Sequence, residues 1–210
     1  HTYGQILRSS ALIGSASVLT IAIGIIRTKA MAVMLGPSGV GLIGLFSSIA
    51  DLTRSVAGLG INNSGVRQIA DAIGSGDELR VARTANVLKR TSIALGLLGV
   101  VLLVALSGPV STMTFGSLQH APAVAALSLA VFFQLLAEAQ AALLQGSRRI
   151  GSLAKIGVMS ALLGTAASIA IIYVMREDGI VPSLVAVAFL TFVTFAWYSR
   201  NVVSRAPALR

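Results

Sequence analysis

Apolar stretches recur six times along the 210 residues, separated by short polar or turn-rich breaks. A helix rising 1.5 Å per residue needs about 20 such residues to cross ~30 Å of hydrocarbon. The pattern predicts spanning helices over residues 11–35, 40–66, 83–106, 122–146, 153–175 and 180–199. The first break, Gly36-Pro37-Ser38-Gly39, combines the two residues that most strongly interrupt helices. The third apolar run covers only 91–106, so its helix is expected to start among charged residues near Arg83. The first run follows Arg8 but is too long for the apolar core of a signal peptide, and more spans follow it. It is therefore expected to stay in the membrane.

Composition narrows the class. Apolar residues make up 55% of the chain and charged residues 11%, with a mean hydropathy of +0.87. Soluble domains carry charge at roughly a quarter of their positions, so too little polar surface is present here to clothe a water-facing exterior. The fold class predicted is all-α, a polytopic membrane protein built as a six-helix transmembrane bundle. No cysteine is present, which excludes disulfides and thiolate metal sites.

A net charge of +9 could point to nucleic acid, but the placement of the charges gives another account. Arg8 precedes the first span; Arg67, Arg80, Arg83, Lys89 and Arg90 lie between the second and third. Arg148, Arg149 and Lys155 lie between the fourth and fifth, and Arg200, Arg205 and Arg210 follow the sixth. These are twelve of the sixteen basic residues. The alternate connections, 36–39 and 107–121, carry none, and Arg176-Glu177-Asp178 is net acidic. Lysine and arginine are retained on the cytoplasmic side during insertion, so both termini are expected in the cytoplasm of a multi-pass protein. Basic loops of this kind meet anionic lipid headgroups. No zinc spacing, recognition helix or aromatic-basic patch points to nucleic acid.

Inside the spans, small residues and charges stand out. Ser160, Gly164 and Ser168 form one stripe on the fifth span, and Gly96 and Gly99 mark a narrow face on the third. Small residues let helices approach closely in lipid. Five charged residues fall within spans: Arg27, Lys29, Asp51, Arg54 and Glu138. Such residues usually face a cavity or a partner. Counted back from Leu35, Lys29 and Arg27 lie roughly 9 and 12 Å deep, and counted on from Val40, Asp51 and Arg54 lie roughly 17 and 21 Å deep. Asp51 and Arg54, three apart, can pair on one face. Arg27 and Lys29 are about 200° apart, so if one faces the bundle the other snorkels or finds its own partner. Positive charge in these two spans exceeds negative, which suits an anionic ligand. In the fourth span Gln134, Glu138 and Gln145 share a face. Glu138 reads either as a proton carrier lining a hydrated path or as a partner of Arg148 or Arg149. Trp197-Tyr198 suits an interfacial anchor. No nucleophile–base pair is present, and neither His1 nor His120 has a metal-ligand neighbour at helical spacing. A transporter with no cofactor is expected, rather than an enzyme.

The segment running from Arg27-Thr28-Lys29 to Leu35-Gly36-Pro37-Ser38-Gly39-Val40-Gly41 resembles the first-helix exit of bacterial polysaccharide flippases. The likeness is to the O-antigen and common-antigen translocases of the multidrug/oligosaccharidyl-lipid/polysaccharide exporter superfamily. It continues through Gly58-Leu59-Gly60-Ile61-Asn62-Asn63-Ser64-Gly65-Val66, and Gly146-Ser147-Arg148 is a counterpart of a later turn. The resemblance implies an inner-membrane protein that moves an undecaprenyl-diphosphate-linked oligosaccharide between leaflets for surface polysaccharide (O-antigen, lipopolysaccharide) biosynthesis, by alternating access. It implies a diphosphate site at Lys29; Arg27 and Arg54 join it mainly as buried positive charge, and the polar residues within the spans, Asp51, Glu138, Gln134 and Gln145, are the candidates for coupling or cavity lining. Family members carry two six-helix lobes and about twice this length. The chain is thus expected to be an N-terminal half, 1–210 forming one lobe, with the second lobe supplied by the same full-length chain or by a partner copy. A drug or metabolite antiporter of the same superfamily, and a non-transporting scaffold of a glycan-synthesis complex, are the other functions this pattern admits.

Overall fold

The computed structural model describes the backbone of residues 2–203 and the side chains of 14–77 and 79–199. His1, Arg205 and Arg210 lie outside the first set, and Arg8 and Arg200 outside the second. The order is α1 (Thr2–Gly58), α2 (Ile61–Gly74), α3 (Glu78–Ala105), α4 (Ser107–Phe115), α5 (Ala121–Gly146), α6 (Ile150–Met175) and α7 (Ile180–Val203). Short 3-10 turns fill Leu118–His120 and Arg176–Gly179, and no strand occurs among the described residues. The all-α membrane bundle read from the sequence is the fold observed.

Four continuous helical stretches are apolar and long enough to cross a membrane: Gly14–Gly58, Leu79–Ala105, Leu118–Gly146 and Ile150–Ser199. Two of them contain 45 and 50 residues, about 68 and 75 Å of helix, or twice what a bilayer core takes. Each is divided: the first at Gly36, whose φ of 72° and ψ of −175° break α1, the second at the Arg176–Gly179 turn. Six crossings result, as the hydrophobic pattern requires.

Gly36 adopts a backbone conformation that essentially only glycine tolerates, and Pro37 opens the following limb, where its missing N–H costs nothing. We refer to residues 2–35 and 37–58 as the first and second limbs of α1. The first limb keeps a packing face as far back as Ala16, with Ile23, Arg27, Ala30, Met31, Met34 and Leu35 half-buried or buried, while Val18, Ile21, Ile25 and Val33 are exposed.

The second and third predicted spans need correction. The helix expected over 40–66 ends at Gly58, because Leu59 and Gly60 both have positive φ, 45° and 70°. Beyond them α2 is a separate amphipathic helix that buries Ile61, Gly65, Ile69 and Ala72 against the bundle. The helix expected to begin near Arg83 begins at Glu78. Asp77 caps it, its carboxylate accepting from the backbone N–H of Leu79 at 2.9 Å and of Arg80 at 3.2 Å. The charged first turns of α3 therefore belong to the helix although they are not apolar.

The central helix is α5, packed on α7, α3, α2 and α1, with Val124, Leu127, Val131, Leu135 and Leu144 wholly buried. Glycines set the approach of its neighbours. A Cβ on Gly99 would lie 3.2 Å from Ala57 and 3.3 Å from Val131, and one on Gly96 would lie 2.8 Å from Phe132. Gly164, between buried Ser160 and Ser168 on α6, faces Val187 of α7. Both small-residue faces serve helix packing.

The bundle has two ends. At one, the basic end, α2 lies against the close of α5, Ile69 over Gly146. At the other, the bare end, the Arg176 guanidinium donates to the Met34 carbonyl at 3.3 Å, tying the α6–α7 turn to the close of the first limb. Phe46 of the second limb meets Phe115 of α4 there, ring centroids 5.1 Å apart.

Candidate functional site

The second limb of α1 has two unlike faces. Phe46, Ala50 and Ala57 are buried on one. On the other, Gly41, Gly44, Ser48, Asp51 and Ser55 follow one another at intervals of three and four and are all exposed. Three- and four-residue steps keep side chains on one side of a helix. This exposed strip is small and polar where a lipid-facing strip would be large and apolar. The Asp51 side chain is 61% exposed, and a carboxylate at membrane depth requires water or a polar partner. Leu45, Leu52 and Val56 are exposed beside the strip, and Asp51 finds a polar partner in Arg54.

Arg54, on the flank of that strip, joins it to α5. Its Nη1 donates to Glu138 Oε1 at 2.5 Å and its Nη2 to Asp51 Oδ1 at 3.2 Å. Gln134 stands one turn before Glu138 on α5. Arg54 Nε and Gln134 Oε1 are both buried without a hydrogen-bond partner among the described residues, one a donor and the other an acceptor. Asp51, Arg54 and Glu138 therefore form one polar cluster between the second limb and α5, with Gln134 one turn away on α5.

This cluster alters the expected balance of charge. Arg54 is compensated by two carboxylates, and the trio carries a net charge of −1. The pairing of Asp51 with Arg54 is as the i,i+3 spacing suggested; the pairing of Glu138 is with Arg54, and not with Arg148 or Arg149. Gln145 is exposed at the close of α5, apart from Glu138 and Gln134. Surplus positive charge at membrane depth rests on Arg27 and Lys29 alone, which have no ion pair among the described residues. Their separation around the helix puts them in opposite surroundings. Arg27 is half-buried on the packing face, whereas Lys29 is exposed with Ile25, Ile26, Ala32 and Val33 around it. A lysine there can extend its amine toward the headgroups near Gly36.

A second feature was not legible in the sequence. At the bare end a cleft of about 840 Å³ lies between the second limb of α1, α5 and α7. Phe46, Phe133 and Phe189 line it among aliphatic side chains, and Gln119, His120, Glu177 and Asp178 supply its polar groups. Phe133 and Phe189 meet edge to face at 5.1 Å, and the His120 ring stacks on Phe115 at 4.5 Å. Phenylalanines in apolar helices read as core, and nothing in their spacing shows that three helices bring these together. No group of three or more metal-ligating side chains occurs among the described residues.

A family model described as polysaccharide biosynthesis protein matches residues 30–206. No curated protein and no solved structure matches the chain.

Proposed function

We propose, since the chain belongs to the polysaccharide biosynthesis protein family, that it is one six-helix lobe of a transporter that flips an undecaprenyl-diphosphate-linked oligosaccharide across the bacterial inner membrane. The observation that carries this reading is the exposed strip Gly41, Gly44, Ser48, Asp51, Ser55 at membrane depth, which suits the wall of a hydrated passage. The opposing wall would come from a second lobe, either further along the same polypeptide or in a partner copy. The basic end would face the cytoplasm.

In this reading the diphosphate is received by Arg27 on the packing face or by Lys29 on the exposed face, whose charges are uncompensated within the lobe. Arg54 can join them only by exchange: an incoming phosphate oxygen would have to displace Asp51 or Glu138 from the guanidinium. Such an exchange links substrate arrival to release of the second limb from α5, and leaves a carboxylate free to take up a proton or cation. Glycan passes through the hydrated interior while the polyprenyl tail stays in lipid, and the close-packed glycine faces permit the helices to rock.

Two observations favour a second reading, a drug or metabolite antiporter. The net negative trio around Arg54 and the aromatic cleft flanked by Glu177 and Asp178 both suit an organic cation. A scaffold without transport would predict that Arg27, Lys29 and Arg54 are all dispensable.

Complementation decides among these. A bacterium lacking its O-antigen flippase would express this chain, the chain with its natural downstream sequence, and the longer form carrying Lys29→Ala or Arg27→Ala. Surface glycan restored by the longer form and lost in either variant at normal membrane levels supports the flippase. Restoration that survives both substitutions removes the anion site. Drug efflux without surface glycan transfers the reading to the antiporter.

A further inference from the structure

We infer that the cleft at the bare end is a saccharide-binding subsite for the glycan of the transported lipid, on the face of the second limb opposite the polar strip. The inference rests on the flippase reading for its biological setting, though the cleft stands on its own geometry. Its volume, about 840 Å³, falls within the range of sites for small ligands. Its walls combine two chemistries. Phe46, Phe133 and Phe189 offer ring faces and edges to it, matching the C–H face of a pyranose, which is apolar. The same cleft is lined by hydrogen-bonding groups: the Gln119 amide and His120 ring, from the turn that leads into α5, and the Glu177 and Asp178 carboxylates, from the α6–α7 turn. Vicinal hydroxyls donate to carboxylates and exchange bonds with an amide.

The state of these groups is consistent with service to a ligand. The Glu177 and Asp178 side chains are exposed and have no ion pair among the described residues. Their neighbour Arg176 turns away, to the Met34 carbonyl. His120 Nδ1 is buried with no hydrogen-bond partner among the described residues, although its ring is fixed against Phe115.

Two other occupants fit less of this. A hydrocarbon chain would cover the aromatic and aliphatic lining but leave Gln119, Glu177 and Asp178 without use. An organic cation would use the carboxylates and rings but not the Gln119 amide. A sugar uses all of them.

The test uses the 210-residue chain in lipid nanodiscs and saturation-transfer NMR with three probes: neutral trisaccharides of glucose, galactose or N-acetylglucosamine; tetraphenylphosphonium; and geranylgeraniol. Transfer to ring C–H protons of at least one trisaccharide is expected. It should fall at least fivefold in the Glu177→Gln/Asp178→Asn double variant and in Phe189→Ala, all exposed positions. No transfer to any trisaccharide overturns the inference. Binding of tetraphenylphosphonium or geranylgeraniol in that case identifies a cation site or a lipid groove instead. Sugar transfer unchanged in both variants places the sugar elsewhere and also overturns it. Surface-glycan complementation is scored separately, so loss of sugar binding with flipping intact would sink this subsite and leave the flippase standing.

Discussion

Arg54 and Glu138 lie 84 residues apart in the chain, yet each stands seventeen residues from the bare-end start of its helix, Arg54 after Pro37 and Glu138 after Ala121. At 1.5 Å per residue both sit about 26 Å along their helices. The second limb of α1 and α5 run in the same direction, and the ion pair joins them at matched depth, toward the basic end. Asp51 completes it from the same helix as Arg54.

A double-mutant cycle should measure this link. Arg54→Gln, Glu138→Gln and the double variant would be compared by thermal unfolding in detergent. The Arg54 side chain is 35% exposed, so a coupling energy on the order of 1 kcal/mol is expected. Full additivity would show that the pair contributes nothing to the lobe.

Gly146 and Gly157 should respond oppositely to alanine. A Cβ on Gly146 would meet Ile69 at 2.8 Å and the Val66 carbonyl at 2.9 Å, whereas nothing lies within 4 Å of one on Gly157. Gly146→Ala must push α2 off α5, at about 1–3 kcal/mol. Gly157→Ala should be neutral or gain about 0.5–1 kcal/mol from helix propensity. Equal effects would mean that α2 is not seated on α5 as described.

Gly36→Ala tests the turn between the limbs. A side chain at φ 72° and ψ −175° costs of order 1–3 kcal/mol, and open space around the Cβ removes any steric component. A lower melting temperature is expected, with Gly41→Ala, also unhindered, as the control. A Gly36 variant as stable as that control would show that the limbs do not depend on this conformation.

The absence of cysteine makes the chain a ready background for labelling. With the chain expressed in intact cells, Met113→Cys should react with a membrane-impermeant maleimide, and Ser75→Cys only after permeabilisation. The reverse pattern would invert the orientation read from the charges. Ser48→Cys and Ser55→Cys should react far faster than Val18→Cys or Ile25→Cys, all four being exposed on the lobe. Equal rates would mean that the polar strip of the second limb is not hydrated.

Hydrophobic periodicity and the alternation of basic loops determined the class, the six crossings and the expected orientation, because insertion into a bilayer is governed by local transfer free energy and local charge. The turn at Gly36 was legible for the same reason, since its residues act through their own backbone preferences. So was the i,i+3 contact of Asp51 with Arg54. The break at Leu59 was not, because a leucine at positive φ contradicts its own preference and is held there by the seat of α2 on α5. Tertiary structure alone decided that Arg54 takes Glu138, leaving Arg27 and Lys29 as the uncompensated cations. It alone gathered Phe46, Phe133 and Phe189 into one cleft, for helix crossings bring together residues that no spacing along the chain relates.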